Sequence, residues 1–128
     1  MFLLILELPL AGVLGAALYG AVELLWRGRT HWTMLALGGV CFMFMYLVTT
    51  RGTFPIWQKW LLCAAFITAL ELTSGAVVNL YLGWSVWDYS SLPLNLGGQI
   101  CARYALYWLA LSVPGSGLCL LVRRLLFQ

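Results

Sequence analysis

Length, composition and charge point to a membrane protein. The 128 residues are 63% hydrophobic and 9% charged, whereas a soluble domain carries about 25% charged residues. The net charge of +3 is small and scattered, which excludes the basic surface of a nucleic-acid-binding protein. At about 20 apolar residues per crossing, the chain fits an all-α bundle of four transmembrane helices, forming a single domain over residues 1–128.

Taken in chain order, four apolar runs predict the helices. They cover residues 2–25, 32–48, 55–82 and 96–122. Pro55 suits the first turn of the third helix, where its missing N–H costs little. Residues 83–95 are aromatic and polar with several turn formers, which predicts an interfacial loop. Pro114, followed by Gly115, is expected to kink the fourth helix.

The basic residues give a weak indication of orientation. Four lie on the side of the termini, namely Arg51, Lys59, Arg123 and Arg124, and two lie opposite, namely Arg27 and Arg29. The positive-inside rule then favours cytoplasmic termini. The excess is small, so an inverted or dual topology stays open. The first run lacks a basic start, which favours a retained helix over a removed signal peptide.

Ionisable residues inside the predicted helices are the strongest candidates for function, because burying a charge in a bilayer is costly. Glu71 is expected about 16 Å below the loop face and Arg103 about 10 Å below it, at 1.5 Å per residue. Glu23 lies close to the same face. Glu7 is expected near the opposite face, in a different environment.

Two interpretations of this cluster remain open and are compatible. Arg103 can form a structural ion pair with Glu71 or Glu23. Alternatively, Glu71 can bind a cation or exchange a proton in a polar pathway that opens toward the loop. Gln99 and Tyr107 share a predicted helix face with Arg103 and join the candidate pathway.

Other residue patterns favour structural roles. Gly12, Ala16 and Gly20 form a small-residue stripe that permits close helix contact and is a candidate dimer interface. Six tryptophans at predicted helix ends indicate an interfacial belt rather than ligand stacking, namely Trp26, Trp32, Trp57, Trp60, Trp84 and Trp87. The four cysteines lack metal or redox spacing, and His31 has no second ligand nearby. We expect no cofactor and no metal.

Residues 87–101 carry a recognisable motif. The run W-D-Y-S-S-L-P-L-N-L-G-G-Q-I-C resembles the WDYS-x-x-P-x-N-x-x-G-x-I segment of the bacterial putative ABC-transporter type IV family, also called CmpB-like permeases. Glu23 after Gly20, and Glu71 before Thr73-Ser74, resemble two further family features. The family's NRGF-x-x-GP-x-x-PIYG segment is replaced here by residues 30–39. The resemblance implies a multi-pass protein of the bacterial inner membrane.

The motif loop has two interpretations. Asp88 and Asn95 can cap backbone N–H groups, with Asn95 at the start of the fourth helix, which makes the loop a capped turn. Alternatively, Asp88, Tyr89 and Asn95 close over the cluster of Glu23, Glu71 and Arg103 as a lid.

The leading functional hypothesis is a small permease or channel-like protein for a polar or cationic solute, assembled as a dimer. The sequence has no GxxxxGKS/T phosphate loop, so an ATP-driven role would need a separate ATPase subunit. The alternative is a non-transporting membrane module that stabilises or regulates a partner. An enzyme is least favoured, because no catalytic dyad, metal-ligand pair or thiol pair is evident.

Overall fold

The computed structural model describes residues 2–28 and 30–127. Within them, four helices are long and apolar enough to cross a membrane, which confirms the predicted all-α membrane architecture. The helices are α1 (Phe2–Arg27), α2 (Trp32–Arg51), α3 (Ile56–Gly75) and α4 (Ala102–Leu126). Arg29, counted above for orientation, lies outside the described residues.

The third crossing ends in a change of helix type. After Gly75, a π-helical segment (Ala76–Tyr81) continues the span. The Leu82 N–H then bonds back to the Val77 carbonyl at 2.9 Å. The crossing is therefore 26 residues long, from Ile56 to Tyr81, and ends close to the expected boundary.

The fourth helix begins six residues later than predicted. Residues 95–101 instead form a short antiparallel hairpin of β1 (Asn95–Leu96) and β2 (Ile100–Cys101). Gly97 and Gly98 make its turn at φ values of 61° and 74°, in the left-handed region that glycine tolerates best. A helix cannot pass through that backbone, so α4 starts at Ala102, and it then continues through Pro114.

Close packing of α1 on α2 uses the small-residue stripe. A Cβ added at Gly39 of α2 would lie 2.8 Å from the Gly12 carbonyl oxygen, and one at Gly20 would lie 2.6 Å from Leu35. The stripe is therefore covered by α2 of the same chain. The expectation that it forms a dimer interface is wrong for that reason.

The core lies where α2 meets the other three helices. Tyr46 and Cys119 are fully buried at its centre. All four cysteines are buried and free of disulfides. Phe44 of α2 stacks on Phe66 of α3, with ring centroids 3.8 Å apart. Helix α2 is thus the central element, and α1 packs mainly against it.

Candidate functional site: a buried carboxylate beside a lateral cavity

Glu71 lies on α3, ten residues before the end of the third crossing, or about 15 Å from the loop face. Its side chain is 1% exposed. The Tyr89 hydroxyl donates to one carboxylate oxygen at 3.0 Å, and the Trp108 indole N–H donates to the other at 3.3 Å. The motif loop and α4 therefore both attach to this one side chain.

No basic side chain pairs with Glu71 in residues 2–28 and 30–127. The ion pairs found there join Glu23 to Arg27, and Glu7 to Arg51 and Arg123. Glu71 differs from the other buried glutamates because its donors are neutral groups.

Arg103 does not join the cluster. It is the second residue of α4 and is exposed to the surroundings of the bundle. The predicted pairing with Glu71 or Glu23 assumes a fourth helix that begins near residue 96, and that start puts Arg103 too deep. The hairpin moves it to the level of the loop face, where a charged head group can reach the membrane surface.

Glu23 has a different partner from the one expected. It is 4% exposed and accepts hydrogen bonds from the Tyr19 hydroxyl at 3.2 Å and from Arg27 at 3.4 Å. Arg27 also donates to the Val86 carbonyl oxygen at 2.7 Å. The spacing of four residues between Glu23 and Arg27, typical of helical ion pairs, is the sequence signal that identifies this partner.

Gln99 and Asn79 tie the loop to the third crossing. The Asn79 amide donates to the Gln99 side-chain oxygen at 2.8 Å and accepts from the Val86 N–H at 2.7 Å. The Trp87 indole N–H donates to the Gln99 carbonyl oxygen at 3.0 Å. Gln99 thus makes these bonds from the hairpin, whereas the sequence predicted that it would lie in the fourth helix.

Asp88 and Asn95 shape the loop locally. Asp88 accepts from the Ser90 N–H at 2.9 Å, and hydrogen bonds from Ser90 hold the pKa of this carboxyl below its usual range. Asn95 accepts from the Gly98 N–H at 3.0 Å and donates to the Leu92 carbonyl oxygen at 2.8 Å. Asn95 therefore caps the hairpin turn, and Cys101 precedes α4 without a side-chain cap.

Tyr89 is the one residue of the motif loop that reaches Glu71. Its ring stacks on Tyr104 of α4 with centroids 4.6 Å apart. Burial, and then the negative charge of Glu71, raise the pKa of the Tyr89 hydroxyl, which stays protonated as a donor. Tyr107, the other predicted tyrosine, is 40% exposed and packs edge-on against Trp26.

A cavity of about 280 Å³ lies beside Glu71, between the four helices. Tyr19, Trp108 and Glu71 contribute to its wall, which is otherwise mainly aliphatic and aromatic. Trp108 was not among the predicted site residues. It stands six residues inside α4, away from the interfacial belt, and a buried indole N–H needs an acceptor, so its position could have indicated a partner.

A second, smaller pocket of about 140 Å³ lies nearer the loop face. Arg27, His31 and Trp84 are among the residues of its wall. Tyr19 lines the inner cavity and Arg27 lines this outer pocket, and Glu23 bonds to both. The side chains of Tyr19, Glu23 and Arg27 therefore form a hydrogen-bonded chain along α1 that runs from one space to the other.

One protein family matches the chain. The family described as Putative ABC-transporter type IV matches residues 16–121, a range that includes Glu23, Glu71 and the whole motif loop. No curated protein and no solved structure matches.

Proposed function

Because the chain belongs to the putative ABC-transporter type IV family, we propose that it is the membrane-spanning subunit of a permease that binds a cationic solute at Glu71. The observation that supports this proposal is a fully buried carboxylate on a cavity wall, with neutral donors alone among the described residues. A buried carboxyl group is either protonated or compensated by a positive charge. A cationic solute in the cavity would supply that charge.

We further propose how the protein assembles and what drives transport. Four helices enclose little space, so a homodimer is the expected functional unit, with a contact other than the α1 stripe. The sequence has no phosphate-binding loop, so ATP-driven transport requires a separate ATPase subunit. We place the protein in the bacterial inner membrane with both termini in the cytoplasm.

The test is a substitution of Glu71 by glutamine in protein reconstituted into vesicles. Glu71→Gln keeps the size of the side chain and removes its charge, so uptake of small ammonium cations, or the thermal stabilisation that they give, should be lost. Glu7→Gln is the matched control, because Glu7 is equally buried but lies outside the cavity. It should retain the response to cations.

A second candidate function is a membrane module that stabilises a partner without transport. It is favoured by the two bonds that make Glu71 an anchor for the loop and for α4. On this reading, Glu71→Gln weakens assembly, and no cation stabilises the wild-type protein. Normal assembly with loss of the cation response in Glu71→Gln supports the permease, and an unchanged response removes Glu71 from the mechanism.

A further inference from the structure

The inner cavity has an open side between α1 and α4. These two helices make only slight direct contact in the described part of the chain. Toward the loop face they are bridged where the Trp26 indole N–H donates to the Tyr104 hydroxyl at 3.4 Å. Three aliphatic side chains that line the cavity are 42–45% exposed, namely Leu18, Val22 and Leu111.

The opening lies at the level of the lipid tails. Leu18 is nine residues from the end of α1 at Arg27, and Leu111 is nine residues from the start of α4 at Ala102. Each is therefore about 14 Å from the loop face at 1.5 Å per residue, near the middle of a hydrocarbon layer about 30 Å thick. The exposed lining residues therefore give the cavity an approach from the lipid that does not pass the outer pocket.

The wall of the cavity specifies the kind of molecule that fits. Most of its residues are apolar, a few are polar, and Glu71 supplies the carboxylate. A carboxylate has about four acceptor positions, and Tyr89 and Trp108 occupy two of them. The volume is nearly twice the roughly 150 Å³ of a cavity that accommodates benzene, so a body of one ring or a short alkyl chain fits.

We infer that the cavity takes an amphipathic ammonium compound, which enters from the lipid between α1 and α4 and places its charged nitrogen on Glu71. This inference rests on the proposed function, because it specifies which cations the site accepts. The apolar body contacts the walls formed by residues such as Ile67 and Leu118, and burial of that body adds affinity in proportion to its apolar area. A small hydrated cation lacks this contribution.

Calorimetric titration of the full chain in lipid nanodiscs tests the inference, with empty nanodiscs subtracted. The probes are hexylammonium, tetramethylammonium and hexanol. Hexylammonium should bind saturably, and tetramethylammonium and hexanol should each bind about tenfold more weakly or worse. Glu71→Gln should weaken hexylammonium binding by about tenfold or more, because a hydrogen bond to a charged group is lost.

Two substitutions on α4 test the entry route. Leu111→Trp enlarges an exposed lining residue and should slow hexylammonium association about tenfold. Leu121→Trp is the matched control, because Leu121 is 48% exposed on the same helix but does not line the cavity. Hexylammonium should associate with Leu121→Trp at the wild-type rate.

The outcomes separate this inference from the proposed function. If tetramethylammonium binds in a Glu71-dependent way and hexylammonium binds no better, the permease proposal stands and the inference is overturned. If no cation binds through Glu71, both are overturned. Three other results would each overturn the inference. Hexanol could bind as tightly as hexylammonium, or hexylammonium could associate with Leu111→Trp at the wild-type rate. Leu111→Cys could also form disulfide-linked dimers, which would show that a second copy covers the opening.

Discussion

The three buried glutamates differ in the groups that compensate them. Glu7 is bonded to the Tyr46 hydroxyl and to Arg51, at 2.8 Å, with Arg123 4.0 Å away. Glu23 is paired with Arg27 within α1, and Glu71 has neutral donors. Charge compensation thus favours a stabilising role for Glu7, and Glu71 is the buried carboxylate without a charged partner among the described residues.

Glu7 gives the first prediction. Arg51→Ala should lower the free energy of unfolding by about 1–3 kcal/mol, because a buried carboxylate loses a charged partner while Tyr46 and Arg123 remain. Arg124→Ala is the control, because Arg124 is exposed at the same end of the bundle, and it should change stability by less than about 0.5 kcal/mol. Unfolding in detergent measures both.

A double-mutant cycle completes this test. In a Glu7→Gln background the cost of Arg51→Ala should shrink, because the charge that Arg51 compensates is gone. An equal cost in both backgrounds would show that Arg51 stabilises the bundle independently of Glu7.

At the scale of whole elements, the contact between α1 and α2 depends on glycine. Gly39→Ala would place a Cβ 2.8 Å from the Gly12 carbonyl oxygen. Because a backbone atom cannot move aside without a shift of the helix, we expect the free energy of unfolding to fall by about 1–3 kcal/mol. Gly117→Ala in α4 is the control, because nothing lies within 4 Å of its added Cβ. Alanine favours helix over glycine, so this control should be neutral or stabilising in the same unfolding assay.

Hydropathy and the motif predicted the four helices and the family, because both depend on composition and local sequence. The start of α4 was missed, although Gly97-Gly98 is a turn signal in the sequence. The exact boundary depends on the paired backbone of the hairpin, with both glycines at positive φ, and that pairing forms only in the folded chain. The six-residue error at that boundary placed Arg103 nearly two turns too deep and led to the incorrect ion pair.

Only some of the hydrogen-bond partners of the buried glutamates could be predicted from the sequence. Arg27 follows Glu23 at helical spacing, so a local rule identifies it. Tyr89 and Trp108 lie 18 and 37 residues from Glu71, and their meeting depends on how the loop folds back and how α4 is rotated. No spacing rule contains that information.

For the whole molecule, the charges at the two ends bear on orientation. With Arg103 at the loop face, the count becomes four basic residues on the side of the termini (Arg51, Lys59, Arg123, Arg124) against three opposite (Arg27, Arg29, Arg103). The positive-inside excess is reduced. We still predict cytoplasmic termini and an external motif loop.

Introduced cysteines test this orientation. Ser91→Cys in the motif loop should react with an impermeant thiol reagent added outside intact cells, and Thr53→Cys at the other end should react only after permeabilisation. Both positions are exposed, and the four native cysteines are buried, which keeps the background low. The reverse pattern would invert the topology, and labelling of both sites from outside would indicate dual insertion.

The π-helical segment between Glu71 and the motif loop bears on how this chain compares with its relatives. An i→i+5 hydrogen bond spans one residue more than the i→i+4 bond of an α-helix. The segment therefore acts as a one-residue insertion, and residues after it are rotated by about 100° from the positions of a continuous α-helix. A relative that is one residue shorter here can close the turn as ordinary α-helix and keep both Glu71 and the start of the motif loop in place. In an alignment of the family, this stretch is where a one-residue gap is compatible with an unchanged site.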